Sequence, residues 1–171
     1  MKRKAGGEDR PRVLVLGVGN ILLRDEGLGV RTIEYIQKNF TVPNGVDVLD
    51  GGTGGLALIS VIRGYGRLII VDAVANKSAP GALYRIDGRT MKNSPPLMAT
   101  AHQLGVRDML ALAGLEGFNP EVVIIGVEPL DISAGLALSG LIEKKIPEAA
   151  AMVAKELRAA GFEMKEKRQS A

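Results

Sequence analysis

A chain of 171 residues, 46% of them hydrophobic and 24% charged, is long enough to bury one substantial core and too apolar to remain disordered. It has no cysteine and a single histidine, His102, which excludes disulfides, thiolate metal sites, iron–sulfur clusters and a cysteine nucleophile. The net charge of +3 belongs to the ends, where Lys2, Arg3, Lys4 and Arg10 outnumber Glu8 and Asp9, and Lys165, Lys167 and Arg168 outnumber Glu163 and Glu166. Residues 11–160 are neutral, without the concentrated basic face of a nucleic-acid binder.

Met1 to Arg12 lacks the apolar stretch of a secretory signal, and no window approaches the roughly 20 apolar residues of a membrane span, so a cytoplasmic location is expected. The run Arg12 to Gly17 has the length and branching of a buried strand. Val30, Ile33, Ile36 and Phe40 recur at helical spacing in the segment from Glu26 to Phe40. Pro43-Asn44-Gly45 predicts a turn, Val46 to Asp50 a second strand, and Leu56 to Arg63 a short helix. Arg67 to Asp72 is the clearest strand, four apolar residues followed by a carboxylate. A weaker strand covers Gly81 to Ile86, and residues 87–101, with Pro95-Pro96, read as an irregular loop. Gln103 to Leu115 suits a helix, Glu121 to Val127 a buried strand, and Ile146, Ala150, Val153 and Leu157 the core face of a last helix ended by Gly161.

Strands with near-continuous apolar runs, alternating with helices, imply a three-layer, doubly wound α/β fold. Its sheet should be mostly parallel, of about five strands, with helices on both faces. One domain is expected over 12–160, with flexible charged tails at 1–11 and 161–171. In such folds functional groups collect beyond the carboxyl ends of the strands. That rule places three carboxylates on one edge: Asp50 and Asp72 at the ends of the second and third strands, and Glu26 just past the first.

Gly17-Val18-Gly19 begins like a dinucleotide-binding turn, but Leu22 occupies the third glycine position and Asp25-Glu26 brings acid where a pyrophosphate would lie. The glycines are better read as permitting close backbone packing, with one of the two acids capping the following helix. Asp50-Gly51-Gly52 is ordinary turn chemistry, whereas Asp72 precedes Ala73-Val74-Ala75, which do not form turns. Two carboxylates and the His102 imidazole meeting on one edge would make a three-ligand site with open positions for zinc, nickel or manganese. HExxH and GxSxG are absent.

Val15 to Val30, Leu49 to Gly55, Ile69 to Ala73, Pro80-Gly81, His102 to Gly105 and Ile125 to Pro129, in that order, resemble the endopeptidases that mature nickel–iron hydrogenases. The resemblance covers about residues 12–160. It implies a peptidase that removes a C-terminal extension from the hydrogenase large-subunit precursor once nickel is inserted. It puts the metal-contacting positions on Glu26, Asp72 and His102, and a further acid of cleavage on Asp50. The metal implied is nickel presented by the substrate, with zinc or another divalent ion able to substitute. The partners implied are the precursor and nickel-insertion factors, with no nucleic acid and no membrane, and the protein acting as a monomer. A non-catalytic module that checks nickel insertion would use the same residues, and an unrelated small metallohydrolase is the third reading, for which one histidine is a thin inventory.

Overall fold

The computed structural model describes residues 11–91 and 101–168, the side chains of 91 and 101–104 excepted. Strand β1 (Val13–Val18) runs through a loop into a 3-10 turn (Arg24–Gly27) and helix α1 (Leu28–Asn39). Next come β2 (Phe40–Thr41), β3 (Val46–Gly52), a 3-10 turn (Gly55–Leu58), α2 (Ile59–Ile62) and β4 (Arg67–Ala73). The chain continues with β5 (Leu83–Asp87), α3 (Gly88–Met91), α4 (Ala101–Leu115) and β6 (Glu121–Val127). It ends with α5 (Gly140–Glu143), α6 (Ile146–Ala159) and β7 (Lys165–Glu166).

The main sheet has the order β3-β1-β4-β6-β5, parallel except for β5, which pairs antiparallel with β6. Side chains alternate across it and define two cores. Val13, Val15, Ile69, Val71 and Ile125 meet Leu28, Ile33 and Ile36 of α1 and Ala149, Ala150, Val153 and Leu157 of α6. Leu14, Leu16, Leu68, Ile70 and Ile124 meet Ile59 and Ile62 of α2 and Val106, Met109, Leu110 and Ala113 of α4. Each fully buried aliphatic side chain contributes about 1.5–3 kcal/mol relative to exposure. This is the three-layer arrangement that the apolar strand runs predict.

The order also fixes where a site can form. The chain leaves β1 for β3 on one side and leaves β4 for β6 on the other, so the connections diverge between two adjacent strands. The crevice outside the carboxyl ends of β1 and β4 is therefore the topological switch point, the customary ligand position in open α/β sheets.

Two stretches differ from the sequence reading. The segment taken as a flexible tail from 161 returns to the fold. Phe162 and Met164 pack against the α1/α6 core, Lys165–Glu166 pairs antiparallel with Phe40–Thr41, and the Lys167 N–H donates to the Asn39 carbonyl at 2.7 Å. Charge content concealed this, because a two-residue strand with alternate charged side chains has no apolar period to read. The segment taken as a loop from 87 holds α3 and the start of α4, while residues 92–100, including Pro95-Pro96, lie outside the described residues.

At the amino-terminal edge of the sheet, buried charge is paired with opposite charge. Glu156 accepts from Arg67 at 2.8 Å and from Arg85 at 2.6 and 3.1 Å. Arg85, with help from Arg67, holds the Glu156 carboxyl below its ordinary value against the opposing effect of burial.

Candidate active site

The carboxyl ends of β1 and β4 are brought under the 3-10 turn by glycines. A Cβ on Gly29 would lie 2.2 Å from the Val18 carbonyl oxygen and 2.3 Å from that of Val71. Only glycine lets the first turn of α1 rest directly on the two strand ends. Gly19, at φ 140°, passes so close to the turn that a Cβ would sit 1.8 Å from the Glu26 carbonyl oxygen. The two glycines of the Gly17-Val18-Gly19 motif thus serve backbone approach, since Gly17 is equally pressed against Gly29.

These contacts hold Glu26 over the end of β4, where Asp72 sits. Both are buried, at 7% and 4% exposure. Burial pushes the Asp72 carboxyl well above its ordinary 3.8; a hydrogen bond from the Ala73 backbone N–H offsets part of this, and the Glu26 carboxylate raises it further. At the opposite edge Glu156 faces arginines, whereas here Asp72 faces an acid. Two carboxylates desolvated side by side are unfavourable unless a proton or a cation is shared between them.

Asp72 has the parity of Leu68 and Ile70, which places it on the α2/α4 face of β4. The start of α4 reaches the same edge, because Gly105 approaches the glycine-rich segment after β3: a Cβ on it would lie 3.3 Å from the Gly55 Cα. His102 is the second residue of that helix, one turn before Gly105, and its side chain lies outside the described residues. Among the described residues no three acidic or histidine side chains form a metal-binding group. The structure thus unites Glu26 and Asp72 and brings the backbone of His102 to their edge.

Asp50 stands on the same edge but apart from that pair. It is exposed on β3, opposite Gly17 of β1, and its Oδ1 accepts from the Gly52 backbone N–H at 2.8 Å. This is the side-chain turn contact expected of Asp-Gly-Gly, and the carboxylate is exposed. Asparagine would keep the turn, since its amide oxygen accepts the same hydrogen bond. Asp50→Asn thus separates the two roles. If Asp50 handles a proton, the processing rate of this variant falls about 100-fold or more with the melting temperature unchanged. A wild-type rate would remove Asp50 from the chemistry.

The other acid of the Asp25-Glu26 pair does something the sequence did not reveal. Neither caps a helix, as the N-cap of α1 is Gly27 and no side chain caps it. Asp25, with no exposed surface, instead takes four hydrogen bonds from a segment more than 100 residues away. Its Oδ2 accepts from the N–H groups of Leu130 and Asp131 at 3.0 and 2.8 Å and from Ser139 Oγ at 2.9 Å; its Oδ1 accepts from the Ser139 N–H at 2.7 Å. Hydrogen bonds to a charged group contribute about 1.5–3 kcal/mol each, enough to offset the several kcal/mol cost of burying a carboxylate. Glu128, also buried, is satisfied similarly by the Asn76 N–H at 2.8 Å and Tyr84 Oη at 2.6 Å. Both hubs brace the loop that follows β6. The nearest local signal was the doubled acid itself, which one cation site does not need.

Two buried acids at a switch point, braced by glycine-mediated contacts, are also the setting in which relatives can be compared. Residues 30–156 match the family model described as hydrogenase maturation protease. The hydrogenase 2 maturation protease of Escherichia coli (strain K12) is 36% identical over 154 residues, 89% of this chain and 94% of its own length. The chain belongs to the hydrogenase maturation protease family. Its activity is that of a peptidase, and its role is the processing of hydrogenase. The hydrogenase expression/formation protein HupD of Rhizobium leguminosarum bv. viciae is 36% identical over 159 residues, 91% of this chain and 79% of its own. Among solved structures, the hydrogenase maturating endopeptidase HybD from E. coli superposes with a TM-score of 0.85 at 34% identity, covering 93% of this chain and 99% of that one. The maturation protease HybD from Thermococcus kodakarensis gives a TM-score of 0.70 at 28% identity, covering 85% and 98%. A hydrogenase maturation protease is thus the reading that survives of the three. The non-catalytic module and the unrelated metallohydrolase are set aside by it.

Proposed function

We propose that this protease removes the C-terminal extension of a nickel-loaded hydrogenase large-subunit precursor, and that Glu26, Asp72 and His102 recognise the nickel the precursor carries. The observation supporting this most is the buried Glu26–Asp72 pair. Its carboxylates lie at the switch point with Asp72 pushed toward the protonated form, an arrangement that a divalent cation would relieve. Two oxygens and one imidazole nitrogen suit nickel or zinc, and three ligands leave open positions for groups that the substrate supplies.

In this reading the metal belongs to the substrate. The protein's own residues dock onto it and orient the scissile peptide beside it. Asp50, exposed at the rim, accepts or delivers the proton that peptide hydrolysis requires. The protein acts in the cytoplasm as a monomer, receiving the precursor after nickel-insertion factors have acted.

The test mixes the protein with nickel-loaded and nickel-free precursor and weighs the products by mass spectrometry. Loss of a C-terminal segment from the loaded form alone is the expected result. Equal cleavage of both forms would remove nickel from the recognition step, and no cleavage of either would overturn the proposal.

A further inference from the structure

We infer that Asp25 is the positioning residue for Glu26, acting through the segment 130–139; this rests on the role given to Glu26 above. The 3-10 turn that carries both acids opens on Arg24, whose φ of 44° lies in the left-handed region that a non-glycine side chain resists. Such a conformation persists only where its surroundings over-determine it.

The long-range hydrogen bonds that restrain it come from the segment 130–139. The Arg24 N–H donates to the Gly135 carbonyl at 2.9 Å, and the Gly135 N–H donates to Leu22 at 2.9 Å, closing a parallel bridge at Leu23. The Asp25 N–H donates to the Asp131 carbonyl at 3.1 Å, and the Arg24 side chain lies 3.3 Å from the Asp131 carboxylate. Beneath them the Asp25 carboxylate gathers Leu130, Asp131 and Ser139, so one buried group ties both ends of the segment to the turn. On the other side Gly19 already fits against the Glu26 carbonyl with no room to spare.

Asp25 therefore does not touch substrate. It holds a strained turn closed, and the next residue is aimed at Asp72 as a result. Loosening it lets Arg24 relax toward an ordinary φ, which rotates the turn and withdraws Glu26. Because a displacement of about 1 Å at a reacting group can cost about 100-fold, the effect on processing should be large.

The diagnostic uses the strain itself. Asp25→Asn retains the shape but turns an amide donor toward the Ser139 donors. It is expected to lower kcat/KM for precursor processing about 10- to 100-fold. Adding Arg24→Gly, which occupies the left-handed region at no steric cost, is expected to restore most of that loss. A purely structural acid predicts the opposite, since Arg24→Gly also removes the ion pair to Asp131 and loosens the chain.

Ser139→Ala, which deletes only the hydroxyl, should show a smaller loss with the same rescue, and keeps the test usable if Asp25→Asn does not fold. Activity unchanged in folded Asp25→Asn, or a loss in either variant that Arg24→Gly does not relieve, overturns the inference. Glu26→Gln is run alongside. If it processes precursor at the wild-type rate, the role of Glu26 fails first and the inference fails with it.

Discussion

His102→Ala is expected to abolish precursor processing, with a fall in rate of about 1,000-fold or more, while the melting temperature and circular dichroism stay at wild-type values. The chain contains no second histidine and no cysteine, so no other imidazole and no thiolate can replace His102 as a donor to a borderline metal. His102 occupies the second position of α4, where its helix reaches the carboxyl edge of the sheet. The helix's core contacts come later, from Val106, Met109, Leu110 and Ala113, so truncation at 102 leaves that packing intact. Mass spectrometry of nickel-loaded precursor over a time course supplies the rate. Cleavage by the variant within tenfold of wild type would remove the imidazole from the proposed site.

Asp72→Asn should move activity and stability in opposite directions. Processing is expected to fall by at least about 100-fold because one carboxylate of the proposed nickel-recognition site is lost, whereas the protein without substrate becomes more stable. The native carboxyl holds its proton to a higher pH than the ordinary 3.8, so the folded state binds more protons than the unfolded one between those two values. Stability contributed by that proton is therefore fully present below about pH 4 and is lost as pH rises through the native pKa. An asparagine has no such proton to lose.

The melting-temperature difference between variant and wild type, measured with chelator present, should be small at pH 4 and grow toward pH 8. Each 1 kcal/mol regained corresponds to about 2–4 °C in a chain of this size. Taking the difference matters, because Glu156 has a lowered pKa and gives the opposite slope in both proteins as pH falls. A difference curve that is flat in pH would show that Asp72 is not strained by burial and by Glu26. Glu26→Gln removes the repulsion and leaves Asp72 buried, and its difference curve should rise less steeply.

How the site could be read in advance varied residue by residue. Asp72 was legible because its strand is apolar on both faces, Leu68 to Val71, and a carboxylate at the end of such a strand is costly unless something uses it. Glu26 was legible as a carboxylate just past the first strand, but the local pattern does not say why it, rather than Asp25, faces the sheet edge. The answer depends on Gly19 and Gly29 bringing the turn onto the ends of β1 and β4, contacts between segments that the local pattern does not contain. Asp50 carried a turn signal and a functional one together, and the structure bears out the turn.

Asp25 caps no helix, although the local sequence suggests a cap for one acid of the pair. Its partners are 105 to 114 residues away, and a hydrogen bond of that separation leaves no local trace. The pairing of β2 with β7 escaped for the same reason, since short charged segments acquire a strand only from what they lie beside.

By itself the sequence determined the layers of this protein, because continuous apolar strands between amphipathic helices can be satisfied only by a sheet covered on both faces. It also limited the chemistry, by containing one histidine and no thiol. Only the tertiary structure decided the strand order, and with it the adjacency of β1 and β4 that sets Glu26 beside Asp72. Burial and charge at that point arise from groups drawn together across the fold. Two acids 46 residues apart in the sequence meet at that edge, where burial first, and Glu26 to a smaller extent, raise the Asp72 carboxyl.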